Sequence, residues 1–314
     1  MSGVARHAPA AALRRRGGRV ALAAAAALAV AIALAAPGFA SPANLSNLLV
    51  QNAALLAAAL GQSLVVLAGG LDISAGSVVS LTTVVLSLDA PAWVTLPVAA
   101  AMWILVGVVN GLGVAWARVH PIIMTLSSMT ILQGVALALR PSPGGAVPPA
   151  LVDIANLEIA GLPLPLFWGV GLVAITAYVL YATRFGLHLY AVGAAPANAR
   201  FAGVPTASVL VAAYVASALG AGIAGLHVTG RIGSGDALVG QSFSVDAITA
   251  VALGGTLLSG GAGSVGGTVA GVAILALVAN GMNFLGVPVF YQYVLKGGLL
   301  IAAVCLFRRS EPGL

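Results

Sequence analysis

Ten runs of apolar sequence, each of roughly bilayer-crossing length, follow one another along this chain of 314 residues. They lie at about 20–36, 48–68, 73–88, 92–115, 121–139, 163–183, 207–229, 243–258, 265–285 and 289–307. A helix needs about 20 apolar residues to cross the hydrocarbon core, and shorter ones are tolerated where protein buries their ends. The runs 73–88 and 243–258 are short, and either fits a broken or re-entrant helix. Only thirteen Lys and Arg and seven Asp and Glu are present. A soluble surface of this size carries about 25–35% charged residues, so soluble, disordered and disulfide-scaffold classes are excluded. The expected fold is all-α: a polytopic membrane protein with about ten transmembrane helices.

The charges fit that topology. With the N-terminus in the cytoplasm and alternating spans, the inside segments hold Arg6, Arg14, Arg15, Arg16, Arg19, Arg118, Arg184, Arg200, Arg308 and Arg309. The outside loops hold Arg140 and Arg231, and Lys296 falls within the last run. Basic residues favour the cytoplasmic side, so both termini are expected there. The net charge of +6 therefore reports sidedness. It is not a nucleic-acid patch, since the basic residues neither cluster on one face nor alternate with aromatics. The expected organisation is a basic tail (1–19), a membrane domain (20–307) and a short tail (308–314). The first run has a second reading as a secretory signal, with Arg14–Arg16 and Arg19 ahead of an Ala-rich stretch. Later orientation is the same either way. The single Cys305 permits no internal disulfide.

Between the runs, 140–162 reads as a Pro- and Gly-rich outer cap. The connection 184–206 reads as a cytoplasmic loop with a short helix over about 196–202, where Pro196 suits the first turn and Gly203 the end. Small-residue pairs at Gly107/Gly111, Gly220/Ala224 and Gly267/Gly271 let helix backbones approach closely. The stretch from Val66 to Val78 resembles that from Ala252 to Val265, although Gly-rich sequence produces such similarity by chance.

Catalytic chemistry finds little material. There is no zinc-helix motif and no nucleophile elbow, and His7, His120, His188 and His227 are scattered; no metal, cofactor or enzymatic activity is expected. The only lysine, Lys296, sits in Leu-Lys-Gly, so the chain lacks a phosphate-binding P-loop. Energy must come from a partner or an ion gradient. Charges inside a membrane are costly and call for partners. Asp246 and Lys296 lie at similar depth from the outer side, which predicts an ion pair. Asp72, between the second and third runs, is the other candidate carboxylate. Gln51, Asn52, Gln62, Asn110, Gln133, Asn280, Asn283 and Gln292 add neutral amides, which act as glue between helices or as lining for a polar solute. Gln62, Asp72, Asn110, Gln133, Asn280, Asn283 and Gln292 are the candidate path residues. Many amides and few charges favour a neutral polar cargo.

Three stretches resemble the permease subunits of ribose-type bacterial ABC importers. Leu67-Ala-Gly-Gly-Leu-Asp-Ile-Ser-Ala-Gly-Ser-Val-Val79 is similar to that family's Gly-Gly-Ile-Asp-Leu-Ser-Val-Gly-Ser motif. Phe185-Gly-Leu-His-Leu-Tyr-Ala-Val-Gly193 through Ala199-Arg-Phe-Ala-Gly-Val204 is similar to its ATPase-contacting loop. The third runs from Asp246-Ala-Ile-Thr-Ala-Val-Ala-Leu-Gly-Gly255 through Gly263–Gly267 and Asn280–Gly286 to Tyr291–Gly297. One departure is Gly193-Ala-Ala-Pro-Ala-Asn-Ala-Arg200, where the family usually carries acidic residues. The resemblance implies an importer permease in the bacterial inner membrane that translocates a simple sugar or similar small polar solute. Its implied partners are cytoplasmic ATPase subunits that bind the ATP, a second permease subunit, and a periplasmic or lipid-anchored sugar-binding protein. Coupling would fall to Ala197, Asn198, Arg200 and Gly203. An ion-coupled secondary carrier is the alternative.

Overall fold

The computed structural model describes residues 10–36 and 38–306. In chain order the first helices are α1 (Ala10–Ala35), α2 (Pro42–Leu67), α3 (Ala75–Leu86), α4 (Ala92–Ala115) and α5 (Pro121–Leu139). A short α6 (Pro149–Ala155) and an antiparallel hairpin, β1 (Glu158–Ile159) and β2 (Leu162–Pro163), follow. Then come α7 (Leu164–Ala182), α8 (Arg184–Ala194), α9 (Pro196–Phe201) and α10 (Thr206–Ile232). The last are α11 (Phe243–Leu253), α12 (Val265–Phe284) and α13 (Val289–Leu306). The fold is all-α apart from that hairpin. Helix α1 begins at Ala10, ahead of its apolar run. Residues 1–9 of the expected first tail, and Arg308, Arg309 and the expected tail 308–314, lie outside the described residues.

Among the described residues, eight helices are long and apolar enough to cross a membrane: α1, α2, α4, α5, α7, α10, α12 and α13. The other two apolar runs form half-length helices, α3 with 12 residues and α11 with 11. At 1.5 Å per residue these are about 18 and 16 Å long, roughly half the hydrocarbon core. Local sequence sets the helix starts. Ser41 and Ser264 cap α2 and α12 by accepting from Asn44 N and Gly267 N, and Pro42 and Pro121 begin α2 and α5.

Helix α10 stands at the centre, packed on α2, α3 and α4. Small residues make this possible. A Cβ at Gly107 or Gly111 would fall 2.4 or 2.5 Å from the Cα of Val215 or Val211 on α10. Gly267 and Gly271 likewise press on the α11 end, so these pairs, with Gly220 against α2, pack within the chain. Helix α1 lies on α12, and α13 lies mainly on α11.

The loops sort into two ends, as alternating spans require. At one end Gly144 and Gly235 exchange backbone hydrogen bonds of 2.9 and 2.8 Å, Arg140 donates to Ser87 O, and Arg231 to Asn156. At the other end the loops after α2 and α11 meet α8, with Gly261 N donating to Leu67 O at 2.9 Å. Arg118, Arg184 and Arg200 all lie in this second set of loops. The resembling stretches 66–78 and 252–265 are both helix–break–helix, and their glycine-rich breaks touch.

Candidate functional site

The break between α2 and α3 is built around Asp72, which is 1% exposed. Its carboxylate accepts from Ser74 N (2.9 Å), Ser74 Oγ (2.6 Å) and, on the other oxygen, Ser217 Oγ of α10 (2.8 Å). Ser74 Oγ in turn accepts from Asn110 Nδ2 of α4 at 2.9 Å, and Asn110 Oδ1 accepts from Ser128 Oγ of α5. The Gln62 amide, turned so that its nitrogen faces the carbonyl, donates to Asp72 O (3.1 Å) and accepts from Asp72 N (3.2 Å). The bonds from Ser128, Asn110, Ser74 and Ser217 all run toward the carboxylate, while Gln62 pairs with the Asp72 backbone; together they tie α2, α4, α5 and α10 to the break. Three donors satisfy the carboxylate's oxygens without a cation. Gln62, Asp72 and Asn110 thus meet, and they bond to protein.

A second irregular segment lies beside α3. Residues 235–242 run in from the end where Gly144 pairs with Gly235 and start α11 partway through the protein. One stripe of α3 receives them, Gly76, Ser80 and Thr83, with Ser87 just past the helix end. Thr83 Oγ1 donates to Asp236 O and accepts from Asp236 N, both at 3.0 Å. Gly240 N donates to Ser80 Oγ at 2.9 Å, and Ser244 Oγ accepts from Gly76 N (2.8 Å) while donating to Ile73 O (2.6 Å). Gln133 Nε2 of α5 donates to Ala237 O at 2.7 Å. Non-helical backbone survives at membrane depth only where protein or a wet cavity satisfies it. Here hydroxyls do so.

Asp246 opens α11, and Lys296 Nζ lies 2.8 Å from its Oδ2, with the two side chains 12% and 20% exposed. The remaining candidate amides pair near the end of the bundle where α2 starts and α12 finishes. Asn44 and Asn280 exchange amide hydrogen bonds of 3.1 and 3.0 Å, and Gln292 Nε2 donates to Asn283 Oδ1 at 2.8 Å. These do not join the Asp72 network.

The connection 184–206 holds two helices where the sequence suggests one. Helix α9 lies within the expected stretch, with Pro196 at its start and Gly203 in the left-handed region (φ 79°) just past its end. Ala197, Asn198, Arg200 and Gly203 are exposed, and Ala199 is buried. Phe201, beside Arg200, is 91% exposed. Helix α8 went unread because a search for span-length runs overlooks an 11-residue amphipathic helix. The serines of the Asp72 network were also missed. Ser217 is 145 residues from Asp72, and no local pattern links them. The α3 hydroxyl stripe did leave a trace: Ser80 and Thr83, with Ser87 just past the helix end, repeat at helical spacing.

The family model for the permease component of branched-chain amino acid transport systems matches residues 44–304. The chain belongs to this family. The permease is 34% identical over 287 residues to the ribose import permease protein of Escherichia coli strain K12, covering 88% of each chain. It is 34% identical over 286 residues to the ribose import permease protein of Bacillus subtilis strain 168, again over 88% of each. With the D-allose transport system permease protein of Escherichia coli K12 it shares 31% identity over 279 residues, 86% of this chain and 85% of that one. No solved structure matches. Family and fold together place this permease in the bacterial inner membrane as a multi-span protein.

Proposed function

We propose that this permease is the transmembrane subunit of an ATP-binding-cassette importer for a simple sugar or similar small neutral polar solute. It holds no catalytic activity of its own. ATP is hydrolysed by separate cytoplasmic subunits, a second permease subunit completes the path, and a periplasmic or lipid-anchored binding protein delivers the solute. Both termini are cytoplasmic, on the argument that Arg118, Arg184 and Arg200 share one set of loops.

The observation that carries this reading is α9. A short helix with exposed Ala197, Asn198, Arg200 and Phe201 projects from the end that carries Arg118 and Arg184, and a nearly bare phenyl ring there calls for a protein partner. Arg200 supplies charge and Phe201 an anchor for the ATPase, as Gly203 releases the chain into α10. The relatives, named for ribose and allose, supply the cargo class. On the membrane side, Ser127 and Thr130 of α5 and Gln241 of the re-entrant segment are exposed. Polar groups facing outward from a spanning bundle mark the face met by the second subunit and by the solute, with Gln133 beside it. Gln62, Asp72 and Asn110 shape that path from behind by holding the helix break, and Asn280, Asn283 and Gln292 act nearer the outer end. Asp246 and Lys296 neutralise each other along it.

The test is uptake of radiolabelled ribose and allose by proteoliposomes holding the permease, its cognate ATPase and its binding protein. Uptake should need ATP and should fall with Arg200→Glu or Phe201→Ala, together with ATPase co-purification. Gradient-driven uptake by the permease alone would refute the reading in favour of a secondary carrier.

A further inference from the structure

Three backbone segments meet at the end that carries Arg118, Arg184 and Arg200, with no side chain between them. Leu67 O closes α2, Gly193 lies near the end of α8, and Gly260 and Gly261 lie in the break between α11 and α12. Gly261 N donates to Leu67 O at 2.9 Å. A Cβ at Gly193 would stand 1.8 Å from Leu67 O and 2.6 Å from Gly261 N. One at Gly260 would stand 2.7 Å from Gly69 Cα, and one at Gly261 2.6 Å from Ala194 Cα. Gly260 and Gly261 also take left-handed φ of 88° and 77°. Around this point Leu189 and Val192 of α8 are buried with Leu67, Ala68, Tyr214 and Val265. Tyr190 Oη donates to Gly263 O at 3.0 Å, fastening α8 to the same break.

We infer that Gly193 is a positioning residue that couples the docking helix α9 to both helix breaks at once. The inference rests on the reading of α8–α9 as the ATPase-docking loop. Backbones in van der Waals contact cannot absorb a displacement as a flexible side chain can, because repulsion rises steeply and close-packed interiors transmit strain. A shift of α8 therefore moves the 68–74 and 254–264 breaks together. The first leads to Asp72 and α3, and the second closes α11, which carries Asp246. One cytoplasmic input thus reaches both half-helices without bending a full-length span.

Hydrogen–deuterium exchange on the complex of full-length permease and cognate ATPase tests this, comparing the nucleotide-free state with ATP plus vanadate. In the wild type, exchange should change at 196–203 and at both breaks. Gly193→Ala should keep the change at 196–203 and lose it at 66–74 and 254–264. Tyr190→Phe adds no atom and should weaken the response at 254–264; it decides the matter if Gly193→Ala does not assemble. Break responses that persist in the variants overturn the joint. A wild-type complex with no response at 196–203 overturns the docking role of α9 instead.

Discussion

Asp72 gives the sharpest energetic test of the helix break. Asp72→Ala strands Ser74 N, a backbone donor that cannot turn elsewhere, and removes the acceptor for two hydroxyls, Ser74 Oγ and Ser217 Oγ. Hydrogen bonds to charged groups are worth about 1.5–3 kcal/mol each, and a stranded buried donor costs about 1–3 kcal/mol. The hydroxyls can rotate toward nearby carbonyls, so the sum for Asp72→Ala is about 3–5 kcal/mol. Asp72→Asn keeps one oxygen for Ser74 and turns its amide nitrogen to Ser217 Oγ, which can accept. Only the charge assistance is lost, about 1–2 kcal/mol. Thermal unfolding of the purified permease in detergent, followed by tryptophan fluorescence, should rank wild type above Asp72→Asn above Asp72→Ala. A double-mutant cycle of Asp72→Ala with Ser217→Ala should give a coupling of about 0.5–3 kcal/mol. Equal loss in the two Asp72 variants, or zero coupling to Ser217, would refute the network as the support of the break.

Other perturbations test neighbouring parts. Lys296→Ala leaves Asp246 unpaired and should cost about 2–4 kcal/mol, whereas Asp246→Lys with Lys296→Asp should recover melting temperature and uptake relative to either single change. Thr83→Val removes both bonds to Asp236 while conserving shape; a loss of about 1–3 kcal/mol and faster exchange at 235–240 are expected in the same unfolding and exchange assays. Gly271→Val, whose Cβ would meet Ala250 O at 1.8 Å, should abolish folded expression, measured by size-exclusion chromatography.

Legibility followed the range of the interaction. The apolar runs at 73–88 and 243–258 could be read as short because hydropathy is a property of consecutive residues, and they form α3 and α11. Pro196 and Gly203 announced α9 because helix starts and stops are local chemistry. Asp246 and Lys296 stood out as charges in apolar surroundings, but their 2.8 Å separation depends on how α13 lies on α11. Ser217 and Ser128 looked like ordinary small residues in spans. Their part in the Asp72 network exists only because α10 and α5 cross the break at that height.

The sequence by itself determined the all-helical membrane class, the ten apolar segments and the clustering of basic residues in alternate loops. All three follow from what a bilayer does to backbone and charge, one segment at a time. Tertiary structure alone decided that 235–242 lies along the hydroxyl stripe of α3, and that Asp72 gathers donors from α10 and its own turn. It also decided that α8 seats on two glycine breaks far apart in sequence, as Gly261 N reaches Leu67 O. Those arrangements depend on backbones approaching until no side chain fits between them, a condition set by both partners together.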